Sequence, residues 1–209
     1  MSDDTLHLAS AEAVQDLGRY AARARTLDAE GALRLQTRGA VLAAWVGVIA
    51  GRGLLGDGTV LGLRTFALTG PGDLDVAVPL GAVTDRTSRP DVGADFPVPP
   101  TRALAPWAAL TPPRSGWEPA GQLAADDLAE AARAGIEEVA AAVAERGAAA
   151  GLVRDRVWAA ALPQAPDIRA GGALAASTLG FLEPGSIVTV HRAGRWWRLT
   201  ATGGHVLMR

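Results

Sequence analysis

The side chains best suited to chemistry in this 209-residue chain are its three histidines, His7, His191 and His205. Cysteine is absent, which excludes thiol nucleophiles, thiolate metal sites and disulfides together. His7 stands near the N-terminus with no matching ligand set. His191 and His205 fall in a stretch that alternates apolar and polar residues and breaks at Ala193-Gly194 and Thr202-Gly203, the pattern of two consecutive hairpins. With those pairs as turns, His191 faces Trp196, Thr189 faces Arg198 and Thr200 faces His205. The two histidines then share a face but lie four rows apart, roughly 16 Å at the spacing of a sheet. No single metal ion bridges that gap, and neither imidazole is linked by spacing to the serine and carboxylate of a triad. No catalytic residue, metal site or cofactor site is expected.

Gly51-Arg52-Gly53-Leu54-Leu55-Gly56 matches the dinucleotide fingerprint GxGxxG and follows a predicted strand. That fingerprint works only when a helix begins at the loop and turns its N-terminus to the pyrophosphate. Here Asp57-Gly58 and a β-like segment follow, so a glycine-rich hairpin loop is expected instead. The chain has no lysine, so a phosphate-binding GxxxxGK[ST] loop is excluded as well. The carboxylates Asp126-Asp127, Glu130 and Glu137-Glu138 lie on a predicted helix away from its apolar stripe, where paired acids form a solvated face.

The hairpins carry the most information. They place Val188, Val190, Trp197, Leu199, Ala201, Val206 and Met208 on a core face. Thr189, His191, Trp196, Arg198, Thr200 and His205 lie opposite, with Arg192 and Arg195 at the first tip. Trp196 is the member of the Trp pair expected on this open face, either exposed or packed under the proline connector or the N-terminal half. An exposed indole beside Arg and His combines contact area with directional donors, as partner-binding surfaces do. Two helices followed by a hairpin with arginines at its tip resemble a winged-helix module in element order, and such a wing can touch phosphates. The helix before the hairpin, Ala173 to Leu182, offers no Arg, Asn or Gln to a base edge, which favours protein contact over sequence reading.

The elements that must hold these residues read as follows. Ser10 caps a helix whose Val14, Leu17, Ala21 and Ala24 recur at helical spacing, and Asp28 caps a second short helix ending at Gly39. Val41 to Ala50 and Thr59 to Leu68 read as strands. After a turn at Gly70 to Asp73, Leu74, Val76, Val78 and Leu80 alternate as a strand that Pro79 must end, completing a three-stranded meander. A short helix covers Gly81 to Thr87. Pro90 to Pro119 is too rich in proline for a continuous helix or central strand, yet carries Phe96, Trp107 and Trp117, so a packed connector is expected. Residues 122–147 form a helix with Leu128, Ala132, Ile136, Val139 and Val143 as its apolar stripe. Helices over Leu152 to Leu162, with Val153 and Trp158 inward, and over Ala170 to Leu179 precede the ribbon.

These readings define an α+β protein in three parts: residues 1–89, N-terminal helices with a small antiparallel meander; 90–121, the proline-rich connector; and 122–209, helices with a winged-helix-like three-stranded ribbon. The composition is 49% hydrophobic with net charge −2, which sustains a core without staples and offers no global attraction for nucleic acid. The Ala, Gly, Pro and Arg usage is that of a GC-rich genome. The polar, acidic MSDDTLHLAS has no signal-peptide character, and no apolar run approaches the ~20 residues of a membrane span. A soluble, cytoplasmic protein without disulfides is expected. The functional expectation is a non-enzymatic interaction or regulatory protein that binds a protein partner through His191, Arg192, Arg195, Trp196 and Arg198. The alternatives are a nucleic-acid-binding protein using the same hairpin, and a small-molecule binder or enzyme with a pocket between the two halves, beside Trp107 and Trp117.

Overall fold

The computed structural model describes residues 4–53, 56–89 and 93–209. It shows an α+β fold built from antiparallel sheets. Two compact units are present, one comprising Met1–Val48 and Gly62–Thr111, the other Ile49–Leu61 and Pro112–Arg209.

The first unit opens with β1 (Thr5–His7) and α1 (Ala11–Leu27). Ser10 is the N-cap of α1, its hydroxyl accepting from the Ala13 N–H at 3.3 Å, and Val14, Leu17, Tyr20, Ala21 and Ala24 form the buried stripe. Asp28 does not start a second helix. It ends α1, and the chain runs on as β2 (Ala32–Ile49). The residues of Ala32–Arg38 have good helical propensity, but their period is two: Leu33 and Leu35 are fully buried while Arg34 and Gln36 turn away. Tertiary burial decides against propensity. Gly39, read as a helix stop, sits inside β2 with φ +54°, where the buried parity changes from Leu33 and Leu35 to Leu42 and Ala44.

β3 (Val60–Gly72) and β4 (Asp75–Pro79) follow. The expected meander is corrected, because β4 pairs with β2 rather than with β3, giving the order β4-β2-β3. Pro79 pairs with Ala32 as the last residue of its ladder, and α2 (Leu80–Thr87) begins at the next residue. Of the stretch read as a connector, residues 118–121 are strand, and its aromatic residues pack locally. Phe96 of β5 (Asp95–Pro97) pairs with Leu6 and is fully buried. Trp107 lies on a 3₁₀ turn, Pro106–Ala109, close over Gly47, where any Cβ would fall 2.6 Å from the indole. Arg34 ties that turn down by donating to the Ala108 carbonyl at 2.8 Å and to both Asp75 carboxylate oxygens at 2.6 Å. Pro90, the first residue of the predicted connector, lies outside the described residues.

The second unit begins with β6 (Glu118–Ala124), so residues 122–124 are strand and α3 (Ala125–Arg146) starts after them. The stripe of α3 also differs from expectation. Leu128, Ala132, Gly135 and Ala142 are buried, while Ile136 and Val143 are 46% and 52% exposed. Gly135 accounts for the rotation, since it admits the Trp158 ring where a side chain would not fit. Val153 and Trp158 of α4 (Gly151–Ala159) are buried as read. A hairpin of β7 (Ala161–Leu162) and β8 (Ala165–Arg169) leads to α5 (Ala170–Thr178). β9 (Ile187–Ala193), β10 (Trp196–Ala201) and β11 (Gly204–Met208) complete the order β11-β10-β9-β6, so the ribbon has β6 as a fourth strand. α5 lies against Leu199 and Met208, the core face of this sheet, and the absence of a side chain at Gly172 permits that approach.

Candidate functional site

The first turn of the ribbon is Gly194-Arg195, one residue later than the sequence suggests, with Gly194 at φ +57°. His191 therefore faces Arg198, Thr189 faces Thr200 and Trp196 faces Ala193. The second turn matches the reading, with Thr200 opposite His205. The two histidines lie two rows apart rather than four, because the first turn moved and the second did not.

The change of register leaves the face assignment intact. Val188, Val190, Leu199, Val206 and Met208 are buried on the α5 side. The other side presents a grid of Thr189 and His191 on β9, Trp196, Arg198 and Thr200 on β10, and His205 and Leu207 on β11. Trp196 is packed rather than free. It is 6% exposed, and the Arg209 guanidinium covers its ring at 5.9 Å. The expectation of a free indole is corrected: Trp196 supports the face and cannot meet a partner directly.

Sequence reasoning missed two members of this face, Trp117 and Arg209. The Arg198 guanidinium lies 4.6 Å from the Trp117 ring centroid, and the Trp117 Nε1–H donates to the Pro113 carbonyl at 2.9 Å, which fixes the ring. A third stack, Arg192 over Trp197 at 5.2 Å, belongs to the tip, where Arg192 and Arg195 are exposed. The overlooked signal was charge: between Ile187 and Arg209 the chain has four arginines, two histidines and no Asp or Glu.

Three buried nitrogens on this face, His191 Nδ1, Arg198 Nε and Arg209 Nε, have no hydrogen-bond partner among the described residues. Each such atom costs the fold about 1–3 kcal/mol. Burial, followed by the charge of Arg198, holds the His191 pKa below its ordinary value. His205 is lowered by burial, then by Arg198 and by His191, and its Nδ1 lies 3.0 Å from the Thr200 hydroxyl. Burial also lowers the Arg198 pKa, although a guanidinium stays charged at any physiological pH. The patch thus holds fixed positive charge, two largely neutral imidazoles and more donors than acceptors.

The other candidate motifs are occupied by structure. Arg52 and Asp57 bridge across the Gly51–Gly56 loop with mutual backbone hydrogen bonds of 2.8 and 3.0 Å, and the next element is β3. No helix N-terminus is there to receive a pyrophosphate, and Leu54 and Leu55 lie outside the described residues. Gly51 is needed for packing, since a Cβ would meet the Thr59 hydroxyl and the Gly56 carbonyl. The acids of α3 are exposed and largely paired, Glu130 and Glu137 with Arg133 and Glu138 with Arg156. Asp127, Glu130 and Glu138 line an open groove of about 820 Å³ together with Gly135, Val157 and Leu162. Among the described residues, no three His, Asp or Glu converge as metal ligands, and no helix is long and apolar enough to cross a membrane.

A family model described as Domain of unknown function (DUF8010) matches residues 1–109. The chain belongs to that family. A second model, described as Domain of unknown function (DUF8185), matches residues 112–209 and so contains the whole ribbon face. The gap between the two matches falls at the Thr111/Pro112 division of the compact units, whereas the structure assigns residues 49–61 to the second unit. No curated protein matches the chain.

Proposed function

We propose that this protein is a non-enzymatic interaction protein whose C-terminal ribbon binds an acidic segment of a partner protein. One observation carries the reading. Arg192, Arg195, Arg198 and Arg209 have no carboxylate within ion-pair distance among the described residues, and β9, β10 and β11 carry no Asp or Glu, the nearest acid by register being Glu118 of β6 across from Arg192. Elsewhere several guanidiniums are paired, as in Arg34–Asp75, Arg64–Asp16 and Arg133–Glu130, and what distinguishes the ribbon is that four without an ion pair fall within the span of its last three strands and the residue after them. A cluster of like charges left unpaired on a protein of net charge −2 is a local field that steers an anionic partner. The stacked guanidiniums favour binding further, because they are ordered before contact and lose little entropy on it.

The face supports binding better than turnover. His191 has an arginine beside it, and although His205 Nδ1 lies 3.0 Å from the Thr200 hydroxyl, neither imidazole has an orienting carboxylate among the described residues. A glutamate-rich peptide is expected to bind the full chain, with affinity that falls as salt is added. Replacing the exposed tip, Arg192→Glu with Arg195→Glu, should weaken it several-fold, with a small drop in melting temperature from the lost Arg192–Trp197 stack and the new Glu118 neighbour. Preference for duplex DNA over the peptide would replace this reading with the nucleic-acid alternative.

A further inference from the structure

Arg198 and Arg209 lie on the same side of the sheet and meet the same condition. Each guanidinium is stacked on an indole, Arg198 on Trp117 at 4.6 Å and Arg209 on Trp196 at 5.9 Å. Stacking satisfies the flat face of the ion and leaves its rim of N–H groups for a planar acceptor in the same plane. Neither ion makes a hydrogen bond or ion pair among the described residues, and the Nε of each is enclosed without an acceptor. His191 stands directly across from Arg198, and its Nδ1 is enclosed in the same way. The surrounding residues Thr189, Thr200 and Leu207 bring no charge. The two guanidiniums on this side of the sheet therefore share one unmet demand, for an anionic acceptor.

We infer that this patch is a carboxylate-binding site, in which the outer N–H groups of Arg198 and those of Arg209 each hold the oxygens of a glutamate or aspartate side chain on the partner. The inference rests on the reading of the ribbon as a surface for an acidic partner and deepens it, since it names the group recognised and the residues that hold it. An extended polyphosphate backbone suits the patch less well. Only two guanidiniums face this side, separated by Trp196 and Leu207, whereas Arg192 stands in the row of Trp197 on the other face. A carboxylate needs only one or two forks at a single point.

The test is titration of the full chain with a glutamate-rich peptide, its glutamine counterpart and a phosphoserine counterpart, read by calorimetry and by the indole N–H resonances of Trp117 and Trp196. The glutamate peptide should shift both indoles. Arg198→Met and Arg209→Met, which keep the apolar stem over the ring, should each weaken binding roughly tenfold or more. The glutamine peptide should lose affinity to the same degree. Melting curves identify any variant that fails to fold, and Arg209, lying past the last strand, provides the second route. Binding that depends on Arg192 and Arg195 but ignores both methionine variants would overturn the site and leave the acidic-partner reading standing. Absence of any binding by the glutamate peptide would remove both. Tighter binding of the phosphoserine peptide would replace the carboxylate with a phosphate.

Discussion

Arg198 stands on β10 and Trp117 just before β6, two strands that are not neighbours, yet the guanidinium carbon sits 4.6 Å from the indole centroid, reaching across β9. The stack fastens the beginning of the C-terminal unit to the centre of its sheet.

Two opposing effects decide what Arg198→Met does to stability. Losing the cation–π contact costs about 0.5–1 kcal/mol for a partly exposed pair. Removing an enclosed Nε that lacks an acceptor returns about 1–3 kcal/mol. Stability is expected to stay level or to rise by about 1 kcal/mol, measured as the urea midpoint. A loss beyond that would mean the nitrogen is satisfied in solution.

Trp196→Ala should act in the opposite direction. The indole is buried between the sheet and Arg209, so truncation leaves a cavity that costs about 3–5 kcal/mol. Thermal unfolding should show a drop of many degrees, and a melting temperature close to wild type would return Trp196 to the exposed surface.

The histidine pair predicts a pH dependence. Burial and the Arg198 charge lower both pKa values in the folded state, while the unfolded chain titrates near pH 6.5. As pH falls through that region the unfolded state takes up protons that the native state resists, so stability declines; above it the full stability is present. Between about pH 8 and about pH 5 the melting temperature should fall, and His191→Gln with His205→Gln should flatten that part of the curve.

At Gly135 a favourable and an unfavourable term compete. Alanine gains about 1 kcal/mol of helix propensity over glycine. Its Cβ would stand 2.5 Å from the Trp158 ring, which is held by packing and can yield only by displacing α4. Overpacking of that kind costs about 1–3 kcal/mol, so Gly135→Ala should destabilise, as a chevron or a denaturation midpoint would show.

Much of the architecture could be read from local chemistry. Ser10 and the spacing of Val14, Leu17 and Ala21 specify α1, and Pro79 marks the end of β4 because it cannot extend a ladder. The readings that failed depended on distant partners. Leu33 and Leu35 look helical until β4 arrives beside them, and α3 turns by one position because Trp158, more than twenty residues away in sequence, needs the space at Gly135. On the ribbon, alternation alone assigns each side chain to its face. It cannot tell that Arg209 closes over Trp196 or that Trp117 slides under Arg198, since both come from outside the alternating segment.

The loop at Ile49–Leu61 belongs to the second compact unit although its sequence lies within the first family match. There the Gly58 N–H donates to the Arg209 carbonyl at 2.7 Å, the Arg209 N–H donates to the Thr59 carbonyl at 3.1 Å, and Ile49 and Val60 press on Gly171. A gene divided between residues 109 and 112 would therefore yield a C-terminal fragment with a raw strand border and a bare patch on α5. Such halves should be recovered as a complemented pair when co-expressed, and not as two independent beads.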